Sequence, residues 1–158
     1  MKNTLLPLAT FLTFILVSYS QTYSATTDMD KRRDMVEEEI WALEEVYFTN
    51  LYKANYEGVL ALVHSQFLGW PGAAPQPIDK EESTRFMKKL IPRPTSCTLK
   101  IDRAGIQVLG DMALTQYTLH VNCNDTPDVE KTQSSRITHT WVKEGASWKL
   151  LGGMSYDQ

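Results

Sequence analysis

A histidine and a tyrosine in the C-terminal half of the chain could take part in acid–base chemistry, because both are predicted on the inward side of a strand. Ile137, His139 and Trp141 share one side of a predicted strand, so His139 is expected between two apolar neighbours. An imidazole there could accept or give a proton near neutral pH, unless it is a core histidine that only hydrogen-bonds a neighbour. Tyr117 shares the inward side of the preceding strand and could donate a hydrogen bond to a bound molecule.

Aromatic side chains could surround these two polar groups. Trp41 and Tyr47 approach from the first predicted helix, and Trp70 lies beside a proline-rich loop. Aromatic walls around a few polar groups are typical of a pocket for a small, partly apolar molecule, although they suit an ordinary core equally well. The predicted pocket lining comprises Trp41, Tyr47, Trp70, Tyr117, His139 and Trp141.

The other chemistry-bearing residues exclude several classes of protein. His64, His120 and His139 are too widely spaced to form a local metal-ligand motif, so we expect no metal. The sequence contains no phosphate-binding loop, dinucleotide fingerprint or nucleophile elbow, and we expect no cofactor. With 16 basic and 19 acidic residues, the net charge is −3, which offers no basic surface for nucleic acid.

The first 20 residues have the pattern of a secretory signal peptide. Lys2 supplies the positive charge, Leu5–Val17 forms the apolar run, and Ser18 and Ser20 are the small residues of a cleavage site. The apolar run is too short for a membrane span. We therefore predict a signal peptide at 1–20, a flexible segment at 21–30 and one domain at 31–158. The mature protein is expected to be secreted or periplasmic and free of the membrane.

A long amphipathic helix follows the predicted leader. Its apolar residues recur every three or four positions, and Thr27 with Asp30 is a plausible capping start. Glu44 lies near the edge of the apolar stripe, and the other glutamates are expected on a solvated face rather than in a cation site. The stripe comprises Val36, Ile40, Leu43, Tyr47, Leu51 and Ala54.

Two short capped helices and a run of strands make up the remainder. Asn55 and Asp79 are predicted to cap helices, with a short strand at Gln66–Trp70 between them. From Ser96 onward the apolar residues alternate with period two, which predicts a meander of long strands. Helices first and an antiparallel meander afterwards favour an α+β fold, with the helices packed on one face of the sheet.

The pairing of the first two meander strands can be worked out from the turn and the alternation. A turn at Gly110–Asp111 places Val108 opposite Ala113, and a slip of phase near Arg103–Gly105 indicates a β-bulge. With one bulged residue, Cys97 comes to lie opposite Cys123. Directly opposed residues are close enough for a bridge, so we predict a Cys97–Cys123 disulfide, consistent with export.

This order of elements resembles a known superfamily. The segments SQFLGWPG and SSRITHTWVKEGASWKLLGGMS, after a long helix with an early tryptophan, are similar to those of the nuclear-transport-factor-2-like superfamily, near its SnoaL-like and ketosteroid-isomerase-like branch. The resemblance implies a cone-shaped α+β domain in a cystatin-like arrangement. N-terminal helices would pack on a strongly curved mixed or antiparallel sheet, with a pocket at the open end, often in a homodimer.

The resemblance leaves three functions open. Related domains often end the last strand with a polar pair that points into the cone, whereas this chain has Gly152–Ser155 there. The leading hypothesis is an exported domain that binds a small, partly apolar organic molecule, with its role unassigned. The second is an isomerase or dehydratase with His139 as acid–base and Tyr117 or Tyr47 as hydrogen-bond donor. The third is a dimerisation or interaction module that uses the outer sheet face with His120 and Arg136.

Overall fold

A computed structural model describes the backbone of residues 9–123 and 131–158, and the side chains of 28–123 and 133–158. The chain divides into two units at Val36, and the second unit, Glu37–Gln158, contains the sheet. In the described part of the chain, no helix has the length and apolar character of a membrane span. The helices are α1 (Ala9–Tyr52), α2 (Tyr56–Leu62) and α3 (Lys80–Leu90).

The two short helices begin where the sequence predicts. The Asn55 side chain accepts a hydrogen bond from the Gly58 backbone N–H, and the Asp79 carboxylate accepts one from Glu82. Each cap satisfies a backbone donor that the first helical turn leaves without a partner. Both predicted caps are therefore confirmed.

Helix α1 begins much earlier than the predicted cap at Thr27 and Asp30. It runs unbroken from Ala9, and residues 21–30, which the sequence predicted to be flexible, are helical. No glycine or proline occurs between Ala9 and Tyr52, so nothing in the backbone forces the helix to start later. Cleavage before Gln21 stays a prediction.

Six strands form one mixed sheet in the described residues. Its order is β2-β1-β6-β5-β4-β3, antiparallel throughout except that β1 runs parallel to β6. Register shifts interrupt the β1–β6, β3–β4 and β5–β6 pairs, and such irregularities bend strands. The strands are β1 (Val63–Trp70), β2 (Ile78–Asp79), β3 (Cys97–Leu109), β4 (Met112–Cys123), β5 (Lys131–Glu144) and β6 (Ser147–Asp157).

The predicted pairing of β3 and β4 is confirmed. Val108 pairs with Ala113, the register shifts between Arg103 and Gly105, and Cys97 lies opposite Cys123. Gly110 has a φ of 59°, the left-handed conformation that the tight turn between these strands requires. The two cysteines form the predicted disulfide, which closes the far end of the hairpin.

The helices cover the inner face of the sheet, as the predicted α+β class requires. The inward residues of β4 and β5 alternate as expected, from Ala113 to Val121 and from Ile137 to Trp141. These residues meet the buried face of α1, which lies C-terminal to Val36. That face comprises Ile40, Trp41, Glu44, Tyr47, Phe48 and Leu51.

Candidate functional site

Glu44 lies at the centre of the buried face of α1. Trp41, Phe48 and Leu51 stand one or two turns away on the same helical stripe, and the Glu44 residue is 0% exposed. The sequence placed Glu44 at the edge of the apolar stripe, which is wrong. A buried carboxylate is stable only when several donors compensate for its lost hydration, so its surroundings are informative.

Four side chains from two strands donate hydrogen bonds to this carboxylate. Thr115 Oγ1 and Trp141 Nε1 donate to Glu44 Oε1 at 2.6 and 2.7 Å. Tyr117 OH and His139 Nδ1 donate to Glu44 Oε2, each at 2.7 Å. Each carboxylate oxygen therefore accepts two hydrogen bonds, and all four donors come from the inner face of β4 and β5.

The donors and the imidazole keep Glu44 ionised. Burial alone would raise the pKa of the Glu44 carboxyl, but the charge of His139 and the donated hydrogen bonds outweigh burial, so the pKa lies below its ordinary value. An ionised carboxylate only accepts hydrogen bonds, so Nδ1 of His139 must carry a proton. The Nε2 atom is then the ring nitrogen free to exchange a proton or bind another group.

Aromatic rings fix the plane of the His139 imidazole. The Phe48 ring stacks on it with centroids 6.1 Å apart and an interplanar angle of 6°. The Tyr47 and Tyr117 rings meet it edge-on, at 5.5 and 5.9 Å. His139 is 9% exposed, so its orientation is set by packing as well as by Glu44.

The exposed edge of His139 borders a cavity of about 420 Å³, a volume within the usual range for small-molecule sites. Its walls come from α1, α3, the inner face of the sheet and the loop after β1. Asp157, Ser135 and Gln133 are among its polar lining residues, and Cys123 of the disulfide also borders it. The apolar lining includes Phe48, Leu51, Phe67, Phe86, Met87 and Ile137.

The structure divides the predicted lining residues into two groups. Tyr47, Trp70 and His139 border the cavity. Trp41, Tyr117 and Trp141 do not, because they pack around Glu44, where Tyr117 and Trp141 donate to its carboxylate. These three assignments to the lining are therefore corrected, and His139 is the donor to Glu44 that also borders the cavity.

Tyr117, which the sequence predicted as a donor to a bound molecule, donates to Glu44 instead. Its hydroxyl is 2.7 Å from Glu44 Oε2 and 3.1 Å from His139 Nδ1. Burial, followed by the nearby Glu44 charge, raises the pKa of Tyr117 well above its ordinary value, so it remains a neutral donor. In this position Tyr117 orients the Glu44–His139 pair and does not reach the cavity.

Gly153 on the last strand makes room for the His139 imidazole. A Cβ on Gly153 would lie 2.5 Å from His139 Cδ2 and 2.3 Å from the Thr138 carbonyl oxygen. The register pairs Gly153 with His139. The missing side chain on β6 therefore leaves the space that the imidazole on β5 occupies.

The other histidines lie away from the cavity. Nδ1 of His64 accepts a hydrogen bond from the Gln66 backbone at 3.1 Å. His120, on the outer sheet face, is 2.8 Å from Ser134 Oγ and 2.9 Å from Asp102 Oδ2. Among the residues whose side chains are described, no cluster of three or more histidine, cysteine or acidic groups could hold a metal ion.

Comparison with solved structures shows the fold. The association domain of CaMKII from Caenorhabditis elegans is 15% identical, with a TM-score of 0.67 over 76% of this chain and 94% of that chain. A protein of unknown function with a cystatin-like fold, from Nostoc punctiforme, is 20% identical, with a TM-score of 0.67 over 77% and 90%. An NTF2-like protein of unknown function from Pseudomonas putida is 16% identical, with a TM-score of 0.63 over 77% and 85%.

These likenesses confirm the nuclear-transport-factor-2-like fold that the sequence motifs predicted. A comparison with curated proteins found no match. The sequence profile of one family, the calcium/calmodulin dependent protein kinase II association domain, matches residues 36–152. That match spans most of the chain, from the buried face of α1 to β6, and the chain therefore belongs to the calcium/calmodulin dependent protein kinase II association domain family.

Proposed function

We propose that this protein binds a small, partly apolar organic molecule in the cavity, with His139 as its polar contact. The observation that carries the proposal is a cavity of about 420 Å³ bordered by an imidazole that a buried carboxylate holds in place. Glu44 and the stacked Phe48 ring fix the orientation of the imidazole before any ligand binds. Fixed polar groups inside apolar walls are what orient a ligand.

The same geometry is suited to proton transfer. Glu44 holds the proton of His139 on Nδ1, so that Nε2 can act as a general base, or as a general acid once protonated. A carboxylate that orients a histidine in this way also stabilises the imidazolium. The isomerase or dehydratase hypothesis therefore depends on His139, with Tyr117 as a positioning residue.

Binding can be tested with N-phenyl-1-naphthylamine, an uncharged probe that fluoresces in apolar surroundings. We expect saturable binding of one probe per cavity. The substitution Ser83→Leu adds volume from α3, since Ser83 is 6% exposed and lines the cavity, and should weaken binding about tenfold. Lys89→Leu, on the exposed side of α3, should change the affinity less than about twofold. Probe binding that both substitutions leave unchanged would refute a ligand site in this cavity.

We also propose that the outer face of the sheet joins two copies of this chain. Tyr156 and Leu68 are 70% and 61% exposed, and the register places Tyr156 beside Arg136. Exposed apolar side chains grouped on one sheet face are typical of an interface. The family to which the chain belongs is named for association, which favours a second copy as the occupant.

Size-exclusion chromatography with light scattering tests this interface. We expect the mass of a dimer or a larger assembly for the unmodified protein and a monomer mass for Tyr156→Asp. Val46→Asp is the matched control, because Val46 is 45% exposed on α1, and α1 covers the opposite, inner face of the sheet. A monomeric unmodified protein, or an equal effect of both substitutions, would contradict the proposal.

We propose further that the protein functions outside the cytoplasm. The signal-peptide pattern at 1–20 and the Cys97–Cys123 disulfide support this location, because disulfides persist in oxidising compartments. N-terminal sequencing of exported protein should begin at Gln21. Exported protein that still begins at Met1 would contradict the predicted cleavage.

A further inference from the structure

Two polar atoms beside the cavity have no partner among the described residues. Glu44 and Tyr117 contact Nδ1 of His139, and no described group hydrogen-bonds Nε2. The hydroxyl of Tyr47 likewise has no described partner, although the residue is only 9% exposed. Among the described side chains, two polar atoms are fully buried and lack a hydrogen-bond partner, Asn122 Oδ1 and Trp148 Nε1. Neither belongs to Tyr47 or His139. The Tyr47 hydroxyl and His139 Nε2 therefore remain accessible from open space.

The two residues carrying these atoms are neighbours. Tyr47 and His139 meet edge-to-face with ring centroids 5.5 Å apart, and both border the cavity. Burial, and then the Glu44 charge, raises the pKa of Tyr47 above its ordinary range, so its hydroxyl stays protonated and can donate. One ligand atom could accept from Tyr47 while it shares a proton with His139.

The charges around the cavity disfavour an anionic ligand. Asp157 is the acidic residue of its described lining, His139 is the histidine, and no described lysine or arginine lines it. With Glu44 ionised behind it, the Glu44–His139 pair has a net charge of 0 when the imidazole is protonated and −1 when it is neutral. A carboxylate or phosphate entering the cavity would lose hydration without meeting an uncompensated positive charge.

We infer that the ligand is an uncharged molecule with an apolar skeleton and one hydroxyl or carbonyl oxygen. That oxygen binds between the Tyr47 hydroxyl and His139 Nε2. The inference rests on the proposed ligand site. A hydroxyl fits both partners, since it accepts from Tyr47 and donates to a neutral Nε2. A carbonyl oxygen fits when His139 is protonated. Tyr47 is thus the residue that distinguishes an oxygen-bearing ligand from a plain hydrocarbon.

Three probes with one skeleton test the inference: naphthalene, 2-naphthol and 2-naphthoate, titrated at pH 7 by calorimetry or fluorescence. We expect 2-naphthol to bind about tenfold more tightly than naphthalene and 2-naphthoate at least about tenfold more weakly than 2-naphthol. Tyr47→Phe should bring 2-naphthol within about twofold of naphthalene and leave naphthalene unchanged. Tyr52→Phe is the matched control, because Tyr52 also borders the cavity, and should leave all three affinities unchanged.

The outcomes separate this inference from the proposed function. If naphthalene binds but 2-naphthol binds no more tightly, or 2-naphthoate binds as tightly as 2-naphthol, the oxygen preference is wrong while the ligand site stands. An equal loss in Tyr47→Phe and Tyr52→Phe would also overturn the role of Tyr47. If none of the three probes binds, both the inference and the proposed site are refuted.

Discussion

Replacement of Glu44 by alanine is expected to lower the free energy of unfolding by about 3–5 kcal/mol, because removing the buried acceptor leaves its buried hydrogen-bond donors without compensation. The loss would strand His139 and three further buried donors, those of Thr115, Tyr117 and Trp141, which now share the carboxylate. Urea denaturation followed by circular dichroism would measure the change.

Two further substitutions make the measurement decisive. Glu44→Gln keeps one acceptor oxygen but places an amide N–H₂ against two donors, so a smaller loss of about 1–3 kcal/mol is expected. Glu45→Ala removes the adjacent glutamate, whose side chain is 64% exposed, and should change stability by less than about 0.5 kcal/mol. Equal stability of Glu44→Ala and Glu45→Ala would contradict the central role of the buried carboxylate.

The pH dependence of stability should change in the same variant. The pKa of Glu44 is lower in the folded protein than in the unfolded chain, where a glutamate has a pKa of about 4.3. Its stabilising contribution is therefore complete above that pH and is lost as the pH falls toward the folded pKa. Between pH 5 and 3, the unmodified protein should lose more stability than Glu44→Gln.

Gly152→Ala is expected to cost about 3 kcal/mol, at the upper end of the range for overpacked sites. A Cβ on Gly152 would lie 2.1 Å from the carbonyl oxygen of Leu68, its partner on β1, and a backbone atom cannot rotate away. The parallel β1–β6 pair would have to separate, which would also disturb the cavity wall at Gly69 and Gly153.

The control for this substitution is a strand glycine with free space around it. Gly105 lies at the β3 bulge, and a Cβ there would meet no atom within 4 Å. Gly105→Ala should change the unfolding free energy by less than about 0.5 kcal/mol. Thermal melts showing the two alanine variants equally stable would contradict the close approach of β1 to β6.

The pairing of β3 with β4 can be derived from the sequence because it depends on near neighbours. The turn at Gly110 and the phase slip near Gly105 set the register, and that register brings Cys97 opposite Cys123. The side-chain period of a strand is two, so one bulged residue shifts every later pair in a known way. The two-residue strand β2 and the parallel β1–β6 contact have no such local signal.

The Glu44 site carries a weaker signal in the sequence. Trp41, Glu44, Phe48 and Leu51 follow a spacing of three, four and three, which places the carboxylate on one helical stripe with apolar residues. The neighbouring glutamates conceal this pattern, because hydrophobic periodicity alone treats every acidic residue as solvated. Three large apolar residues at helical spacing from one glutamate would have been the clue.

By itself, the sequence determined the long strands β3 to β6, the caps of α2 and α3, the β3–β4 register, the disulfide and the inward side of His139. These features follow from the periods of helix and strand and from turn residues close along the chain. Only the tertiary structure decided that Glu44 is the buried partner of His139, and which tyrosine faces the cavity. The four donors to Glu44 lie 71 to 97 residues away from it, and burial of a carboxylate depends on whether distant donors converge on it.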